Sequence, residues 1–257
     1  MIFFSPAKVN LFLRVLDKRS DGYHELYTCM QAVNLFDELT IKVSHDQDTL
    51  FISDPSLPVD GSNLILKATA LFRKKTGLKT YFEINCLKRI PHQAGFGGGS
   101  SNASTTLFAC NQLTGLNISN HELQAWSAEL GSDCPFFFST GSALCKGRGE
   151  IVENIPVCLK EEIYICKPQE SLSTAAVFHA HIRDEQQEGL DCLFINDLEK
   201  AAFLICPELE NYKRGLQNHF KDVVMSGSGT GFICRGGRGE GVAVCPILRK
   251  EDGWYSL

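Results

Sequence analysis

The sequence predicts an α/β (α+β) fold built from two domains. Two observations predict it: strand and helix patterns of apolar residues alternate along the chain, and strand patterning restarts near residue 153. A chain of 257 residues is long enough for one large domain or two modest ones. We therefore expect a first domain at residues 1–153 and a second at residues 154–257.

The first domain is expected to open with strands. Residues 8–16 are apolar at every second position, which is the period of a half-buried strand. A turn is expected at residues 21–22, because Asp-Gly pairs favour turns. The same reasoning predicts further strands at residues 37–43, 50–53 and 80–87.

Helical patterns follow these strands. Leu64, Ala68, Leu71 and Phe72 have the spacing of one helical face, and Gly77 is expected to end that helix. The spacing predicts two more helices, at residues 100–114 and 119–131, the latter opening with a capping box.

The second domain has weaker patterns of both kinds. Strands are expected at residues 163–166 and 223–225, and helices near residues 174–181 and 196–204. The glycine-rich stretch at residues 236–241 is expected to form a turn or a mobile loop. This half is therefore predicted to be a separate α+β layer.

Composition narrows the range of functions. A net charge of -5 and a pI near 5.8 argue against nucleic acid or an anionic membrane as the main partner. The number of cysteines, eleven, is odd, and the sequence contains no Cys-x-x-Cys pair. We therefore expect reduced, mostly buried thiols. The first residues lack a signal-peptide pattern and no apolar run reaches about 18 residues, so we expect a cytoplasmic protein.

The strongest chemical feature is a glycine-rich loop, PHQAGFGGGSSNA, at residues 91–103. It runs directly into a predicted helix, whose first N–H groups and dipole favour an anion, and glycines allow close backbone approach. The loop therefore predicts a phosphate site. The alternative is a flexible turn with a serine cap.

Two common nucleotide-binding motifs do not fit this loop. No Lys-Ser/Thr pair follows the glycines, as a Walker A loop requires. Ser100 occupies the last glycine position of the dinucleotide fingerprint. A different class of nucleotide-binding protein is therefore indicated.

Three segments, taken in order, resemble the motifs of the GHMP kinase superfamily. They are SPAKVNL at residues 5–11, the glycine-rich loop at residues 91–103, and SGSGTG at residues 226–231. A fourth segment, DGYHEL at residues 21–26, resembles the signature of the diphosphocytidyl-methylerythritol kinases within that superfamily. The third motif alone could also be an ordinary tight turn.

The resemblance implies two catalytic residues. Asp133, in GSDCP at residues 131–135, matches the catalytic aspartate and would accept the proton of a substrate alcohol. Lys8 would keep this carboxylate ionised and counter charge on the transferring phosphoryl group. Without the resemblance, Asp133 could merely cap the next element and Lys8 could be a solvated surface lysine.

The resemblance also implies the binding residues. Tyr23, His24 and Phe178 would hold a cytosine ring by stacking and by hydrogen bonds to its edge, although Phe178 could instead be a core aromatic. Asn10 and Lys146 are expected as further substrate contacts. The residues expected at ATP are Asn63, Lys88, Pro91, Gly95, Gly97, Gly98, Gly99, Ser100, Ser101 and Asn102.

Metal ligands are less defined by the sequence. Ser101 is a candidate for holding Mg²⁺, which the resemblance implies together with ATP as co-substrate. His179 and His181 lack a clustered third ligand, so we interpret them as a surface pair and not as a metal site.

Taken together, the resemblance implies a ribosomal-protein-like N-terminal domain, a ferredoxin-like C-terminal domain and an active site between them. The implied reaction moves the ATP γ-phosphoryl group to the 2-hydroxyl of a small cytidine diphosphate alcohol, 4-diphosphocytidyl-2-C-methyl-D-erythritol, with a monomer or homodimer as the active form. Another GHMP kinase, such as homoserine kinase, and a non-catalytic nucleotide-binding protein are the alternatives. About 25 residues follow the third motif, so the second domain is expected to be trimmed.

Overall fold

The computed structural model describes residues 1–182, 193–250 and 253–256. The strands are β1 (Ile2–Lys18), β2 (His24–Ser44), β3 (Thr49–Ile52), β4 (Tyr81–Leu87), β5 (Ser142–Gly147), β6 (Ile151–Asn154), β7 (Ile163–Cys166), β8 (Ile195–Asn196), β9 (Asp222–Met225), β10 (Phe232–Arg235) and β11 (Val242–Val244). The helices are α1 (Leu64–Thr76), α2 (Gly98–Thr114), α3 (Asn120–Ser127), α4 (Thr174–Ala180), α5 (Glu199–Ile205) and α6 (Pro207–Gln217), with a 3-10 helix at Cys134–Phe138.

The larger sheet is organised around two long antiparallel strands, β1 and β2. Its main path runs β3-β4-β2-β1-β8, and β5 pairs with the first part of β2 and with β6. One face of this sheet carries α1, α2 and α3 over an apolar core that includes Phe72, Phe82 and Leu107. Helix α2 is buried along most of its length because its small serine, threonine and alanine side chains let it lie close to the sheet.

The smaller sheet has the order β11-β7-β10-β9 and carries α4, α5 and α6. Val9 and Leu11 of β1 belong to the same buried cluster as Ile165 of β7 and Ile233 of β10. The two sheets therefore share an apolar core, and this core fixes β1 directly beside the second half of the chain.

The chain crosses between the two halves more than once. The break between the sheets lies at residues 155–162, close to the expected boundary at residue 153. However, β8 pairs in parallel with β1, at Phe12 and Leu13. Trp254 also stacks on Phe108 of α2, with ring centroids 4.7 Å apart. The two-domain α/β fold class is confirmed, and the boundary itself stays a prediction.

Several predicted elements differ from the observed ones. The strand expected at residues 37–43 is only the second half of β2, and residues 195–196 pair as a strand where the start of a helix was expected. Patterning missed β5, β6, β11 and α6. The second domain was expected to be trimmed after the third motif. The structure shows that Trp254 and Tyr255, which follow that motif, pack into the core of the first half. The glycine-rich stretch at residues 236–241 joins β10 to β11.

The cysteines agree with the expectation of reduced thiols. All ten cysteines within the described ranges are free, and seven of them are buried, while Cys192 lies outside those ranges. Burial raises the pKa of Cys86 and of Cys134 to about 12, so neither thiol is ionised near neutral pH. None of the described helices is long and apolar enough to cross a membrane.

Candidate active site

The first strand presents a lysine and an asparagine to the site. Lys8 and Asn10 are two positions apart on β1, so they share the face opposite Val9 and Leu11. The Lys8 ammonium donates a hydrogen bond of 2.6 Å to Asn10 Oδ1 and lies 3.2 Å from Asp133 Oδ2. The Lys8 side chain is 3% exposed. It is therefore not a solvated surface lysine.

Asp133 lies immediately before the 3-10 helix at Cys134–Phe138. Its side chain makes no capping hydrogen bond to that helix, although it occupies the N-cap position. Phe136 and Phe137 are fully buried and anchor the helix in the core. The carboxylate is 32% exposed and faces Lys8. The geometry therefore favours a chemical role for Asp133 over a capping role.

The glycine-rich loop ends at Gly97, which caps helix α2 with a φ of 69°. The first intrahelical hydrogen bond runs from Ser101 N to Gly97 O at 2.8 Å. The amides of Gly98, Gly99 and Ser100 therefore have no acceptor within the helix. The first turn of α2 carries no acidic residue. This helix start is suited to an anion such as a phosphate.

Gly97 also makes room for the lysine. A Cβ atom at Gly97 would lie 2.8 Å from Lys8 Cγ, whereas one at Gly99 would meet only Leu64 Cδ1 at 3.7 Å. We expect Gly97→Ala to lower kcat between about 10- and 100-fold, because displacing a catalytic group by about 1 Å has effects of that size. Steady-state kinetics of ATP turnover would measure the change.

Gly99→Ala is the matched comparison for this variant. It adds the same methyl group at the same helix start without touching Lys8. We expect it to raise the KM for ATP with a smaller change in kcat, because only the backbone approach to phosphate is obstructed. Equal losses of kcat in both variants would contradict the proposed packing of Gly97 against Lys8.

A buried polar network supports the start of α2. Asp37, which is fully buried, accepts hydrogen bonds from the ammonium of Lys88 and the amide of Asn102. Its second oxygen accepts the backbone N–H groups of residues 89 and 90. Lys88 is thus already paired within the protein, although it borders the cavity described below.

Ser101 points into this network and not into a cavity. Its hydroxyl accepts a hydrogen bond of 2.8 Å from Ser5, and Ser101 is fully buried. The neighbouring residue Ser100 borders both cavities. The geometry therefore gives no support to Ser101 as the metal-holding serine and favours Ser100 instead.

The third motif closes the site from the second half of the chain. Ser226 Oγ donates to Gly95 O at 3.1 Å and accepts from Asn10 N at 3.2 Å. A Cβ atom on Gly95 would overlap the Ser226 carbonyl. One on Gly227 would lie 3.4 Å from Lys8 Nζ. This turn therefore contacts both other motifs, which an ordinary tight turn would not do.

Two adjoining cavities share part of their lining, and the Lys8–Asp133 pair borders the larger of them. The smaller, of about 380 Å³, is bordered by every residue expected at ATP except Ser101. The larger, of about 890 Å³, is bordered by Lys8, Asn10, Tyr23, His24, Asp133 and Phe178. We call them the nucleotide cavity and the acceptor cleft. They share three bordering residues, Gln93, Gly95 and Ser100.

Aromatic side chains border the acceptor cleft. The rings of His24 and Phe178 are stacked, with centroids 5.6 Å apart and an interplanar angle of 23°. Phe178 is only half-buried, so it is not simply a core aromatic. Tyr23 is 55% exposed, and the Arg148 guanidinium lies 5.1 Å from its ring centroid. These flat surfaces suit a heterocyclic base.

His24 is suited to polar recognition of such a base. Burial, and to a smaller extent Lys18, lower the pKa of His24 below the ordinary histidine value. The ring is therefore mainly neutral at pH 7 and offers one donor and one acceptor nitrogen. The edge of His181 faces it at 6.3 Å. His181 is half-buried and His179 is exposed, and both border the acceptor cleft.

One predicted contact is not brought to the site, and several were missed. Lys146 lies 3.1 Å from Glu153 and is 45% exposed, away from both cavities. Sequence reasoning did not identify Lys18, Thr28, Ser132, Arg148, Thr174 and Ser228, which border the acceptor cleft. Two sequence signals could have pointed to members of this set. Arg148 stands between two glycines, and Ser132 stands next to Asp133. Thr28 holds Asn10 by a 2.8 Å hydrogen bond.

Comparison with known proteins gives one consistent result. Residues 63–141 match the family described as GHMP kinases N terminal domain. The 4-diphosphocytidyl-2-C-methyl-D-erythritol kinase of Protochlamydia amoebophila is 46% identical, over 98% of this chain and 92% of that protein. The match therefore extends over both halves of the chain.

Solved structures agree with this result. A crystal structure of 4-(cytidine 5'-diphospho)-2C-methyl-D-erythritol kinase superposes with a TM-score of 0.78 and 30% identity, covering 95% of this chain and 99% of that one. A homoserine kinase from Cytophaga hutchinsonii has a TM-score of 0.65 at 18% identity, over 91% of this chain and 84% of that one, which shows the shared fold alone. The chain belongs to the 4-diphosphocytidyl-2-C-methyl-D-erythritol kinase family, within the GHMP kinases.

Proposed function

We propose that this protein transfers the γ-phosphoryl group of ATP to the 2-hydroxyl of 4-diphosphocytidyl-2-C-methyl-D-erythritol, a step in non-mevalonate isoprenoid precursor synthesis. The observation that carries the proposal is the Lys8–Asp133 pair, 3.2 Å apart in the acceptor cleft, which shares Gln93, Gly95 and Ser100 with the nucleotide cavity. A phosphoryl donor in one cavity and an alcohol in the other would meet at this pair.

Asp133 is the proposed general base. As the substrate oxygen approaches the γ-phosphorus, its proton moves to a carboxylate oxygen of Asp133. The new O–P bond forms while the bond from the γ-phosphorus to the bridging oxygen breaks, and ADP leaves with that electron pair. The exposed fraction of Asp133, 32%, supports direct access of the alcohol to the carboxylate.

Lys8 is proposed to act by electrostatics. Its ammonium is held by Asn10 and faces Asp133, so its position is fixed before substrate arrives. A preorganised cation at a buried site stabilises negative charge that develops on the transferring group. It also favours the ionised form of the neighbouring base. The free amides at the start of α2 add partial positive charge at the phosphates.

Mg²⁺ is proposed as the partner of ATP. The described residues contain no group of three or more His, Cys, Asp or Glu side chains that could hold a metal. This fits Mg²⁺, which commonly binds through substrate phosphates and one or two protein oxygens. Ser100 would supply one such oxygen, since it borders both the nucleotide cavity and the acceptor cleft. When bound, the ion neutralises charge on the phosphates.

The acceptor cleft supports a cytidine diphosphate substrate. His24, Phe178 and Tyr23 offer stacking surfaces and a neutral imidazole for the cytosine. Lys18 and Arg148 border the same cleft, and they provide positive charge for a diphosphate. Homoserine has no aromatic ring to stack, so it would leave the surfaces of His24, Tyr23 and Phe178 unused.

Truncating the stacking ring tests the substrate assignment. Phe178→Ala removes one face of the clamp, and base–aromatic stacking is worth about 1–3 kcal/mol, so kcat/KM for the cytidine substrate should fall roughly 5- to 150-fold. The KM for ATP should stay nearly constant, because Phe178 does not border the nucleotide cavity. Steady-state kinetics with each substrate varied in turn would measure both values.

Phe51→Ala is the matched control for this variant. Phe51 lies on β3, is 64% exposed and borders neither cavity, so its loss should leave both kinetic constants unchanged. Wild-type protein should phosphorylate the cytidine substrate far faster than homoserine or mevalonate. Comparable rates on all three alcohols, or normal kinetics of Phe178→Ala, would contradict the proposed substrate.

The remaining assignments are proposals of the same kind. Residues 1–153 and 154–257 are proposed as the catalytic and C-terminal domains, supported by the change of sheet between β6 and β7. A cytoplasmic location, a monomer or homodimer, and no nucleic-acid or membrane partner are proposed from composition and charge.

A further inference from the structure

One residue with a polar side chain borders both cavities and has no role so far. Gln93, Gly95 and Ser100 are the residues bordering both the nucleotide cavity and the acceptor cleft within the described ranges. Gly95 has no side chain and Ser100 has a short one. Among these three residues, Gln93 thus carries the longest polar side chain.

The backbone of Gln93 is unusual. Its φ is 51°, in the left-handed region that glycine adopts more readily than glutamine. The other non-glycine residues with positive φ in the described ranges are Asn117 and Phe194. Residues held in this region often occur at functional sites, where the side chain is needed. Glycine would adopt this backbone conformation more readily than glutamine does. The presence of glutamine therefore points to a role for its side chain.

The carboxamide is available for a ligand. Gln93 is exposed, and no described residue forms a hydrogen bond with its side chain. Its backbone is held nonetheless: Gln93 O accepts from Thr230 N at 3.4 Å, and the next carbonyl, Ala94 O, accepts from Gly231 N at 3.1 Å. The amide is thus mounted on the glycine-rich loop, at a point where the backbone of the third motif holds that loop.

We propose that the Gln93 side chain is a binding residue for the γ-phosphoryl group, to which its Nε2–H donates a hydrogen bond. This inference rests on the proposed function in taking the nucleotide cavity as the ATP site. An uncharged donor at this point would steady the phosphoryl group without competing with Lys8 for Asp133. A hydrogen bond to a charged acceptor is stronger than one between neutral groups.

The binding of two nucleotides tests the proposal without any acceptor alcohol. Calorimetric titration with Mg²⁺ and either β,γ-imido-ATP or ADP separates contacts to the γ-phosphoryl group from the rest. Gln93→Gly should weaken binding of the imido analogue about 10-fold, as expected for loss of one charge-assisted hydrogen bond. Binding of ADP should change by less than about twofold, because the lost contact is absent there.

Two further variants separate the amide from the backbone. Gln93→Met keeps an unbranched side chain in the same backbone region and should lose the same affinity as Gln93→Gly. Asn117→Gly makes the same kind of backbone change at a surface position, with φ 55°, and should change neither affinity. Equal weakening of both nucleotides, no weakening, or weakening in the methionine variant alone would overturn the proposal.

The outcome is distinguishable from failure of the proposed function. If wild-type protein did not phosphorylate the cytidine substrate, the titration would still report on the γ-phosphoryl contact. If turnover of that substrate were normal while Gln93→Gly bound the imido analogue as tightly as wild type, only the assignment of Gln93 would be overturned. Thermal melts of each variant would establish that the fold is intact.

Discussion

Replacing Asp133 with asparagine should lower kcat by at least about 100-fold, the lower end of what a general base contributes. The amide has nearly the same shape but cannot accept the proton of the alcohol. The dissociation constant of ATP should change little, because Asp133 does not border the nucleotide cavity. Single-turnover kinetics and equilibrium titration with ATP would measure chemistry and binding separately.

Asp46→Asn is the control for this substitution. Asp46 is exposed in the turn between β2 and β3 and borders neither cavity, so the same chemical change there should leave kcat unaltered. A variant of Asp133 that kept more than about a tenth of wild-type kcat would contradict the role of a base worth about 100-fold.

Replacing Lys8 with methionine should lower kcat by about 100- to 1,000-fold, the range seen when one preorganised electrostatic contact in an active site is removed. Methionine keeps an unbranched stem that packs beneath Gly97, so the change is mainly the loss of the ammonium. Asn10 Oδ1 also loses the shorter of its two hydrogen bonds and keeps the one from Ser226 Oγ at 3.4 Å. Steady-state kinetics, with a thermal melt to compare stability, would measure the effect.

A double variant makes this prediction sharper. If Lys8 and Asp133 act as a unit, Lys8→Met combined with Asp133→Asn should lose little more activity than the worse single variant. Lys42→Met is the control, since Lys42 is 63% exposed and pairs with Glu83 on the sheet surface. Losses that multiply in the double variant would show that the two groups act independently.

Much of the site could be predicted because its residues fall in short local motifs. Lys8 and Asn10 are two positions apart on one strand, so the sequence already predicts that they share a face. The glycine loop leads straight into α2, so the sequence also predicts a helix start beside the loop. The position of Asp133 beside Lys8 depends on how distant segments pack. Only the resemblance to a known family made that pair predictable.

Other features depend on contacts that no local pattern records. β2 is 21 residues long because β1, β4 and β5 pair with different parts of it, whereas its sequence alternates clearly only in part. Ser101 and Lys146 border neither cavity, and a motif could not show this because it names a residue without saying where its side chain points. Gln93 gave no signal at all, since its backbone angle and its position between two cavities are tertiary properties.

The return of the last residues to the first core has a consequence for biosynthesis. Trp254 stacks on Phe108 and contacts Phe138 edge to face, and Arg249 donates to the carbonyls of Phe138 and Ser139. A ribosome adds about 5–20 residues per second and N-terminal domains usually fold first. Here the catalytic half cannot complete its core until residue 254 has been made. Its apolar surface is therefore exposed on the nascent chain for most of translation, when chaperones would have the greatest effect on yield.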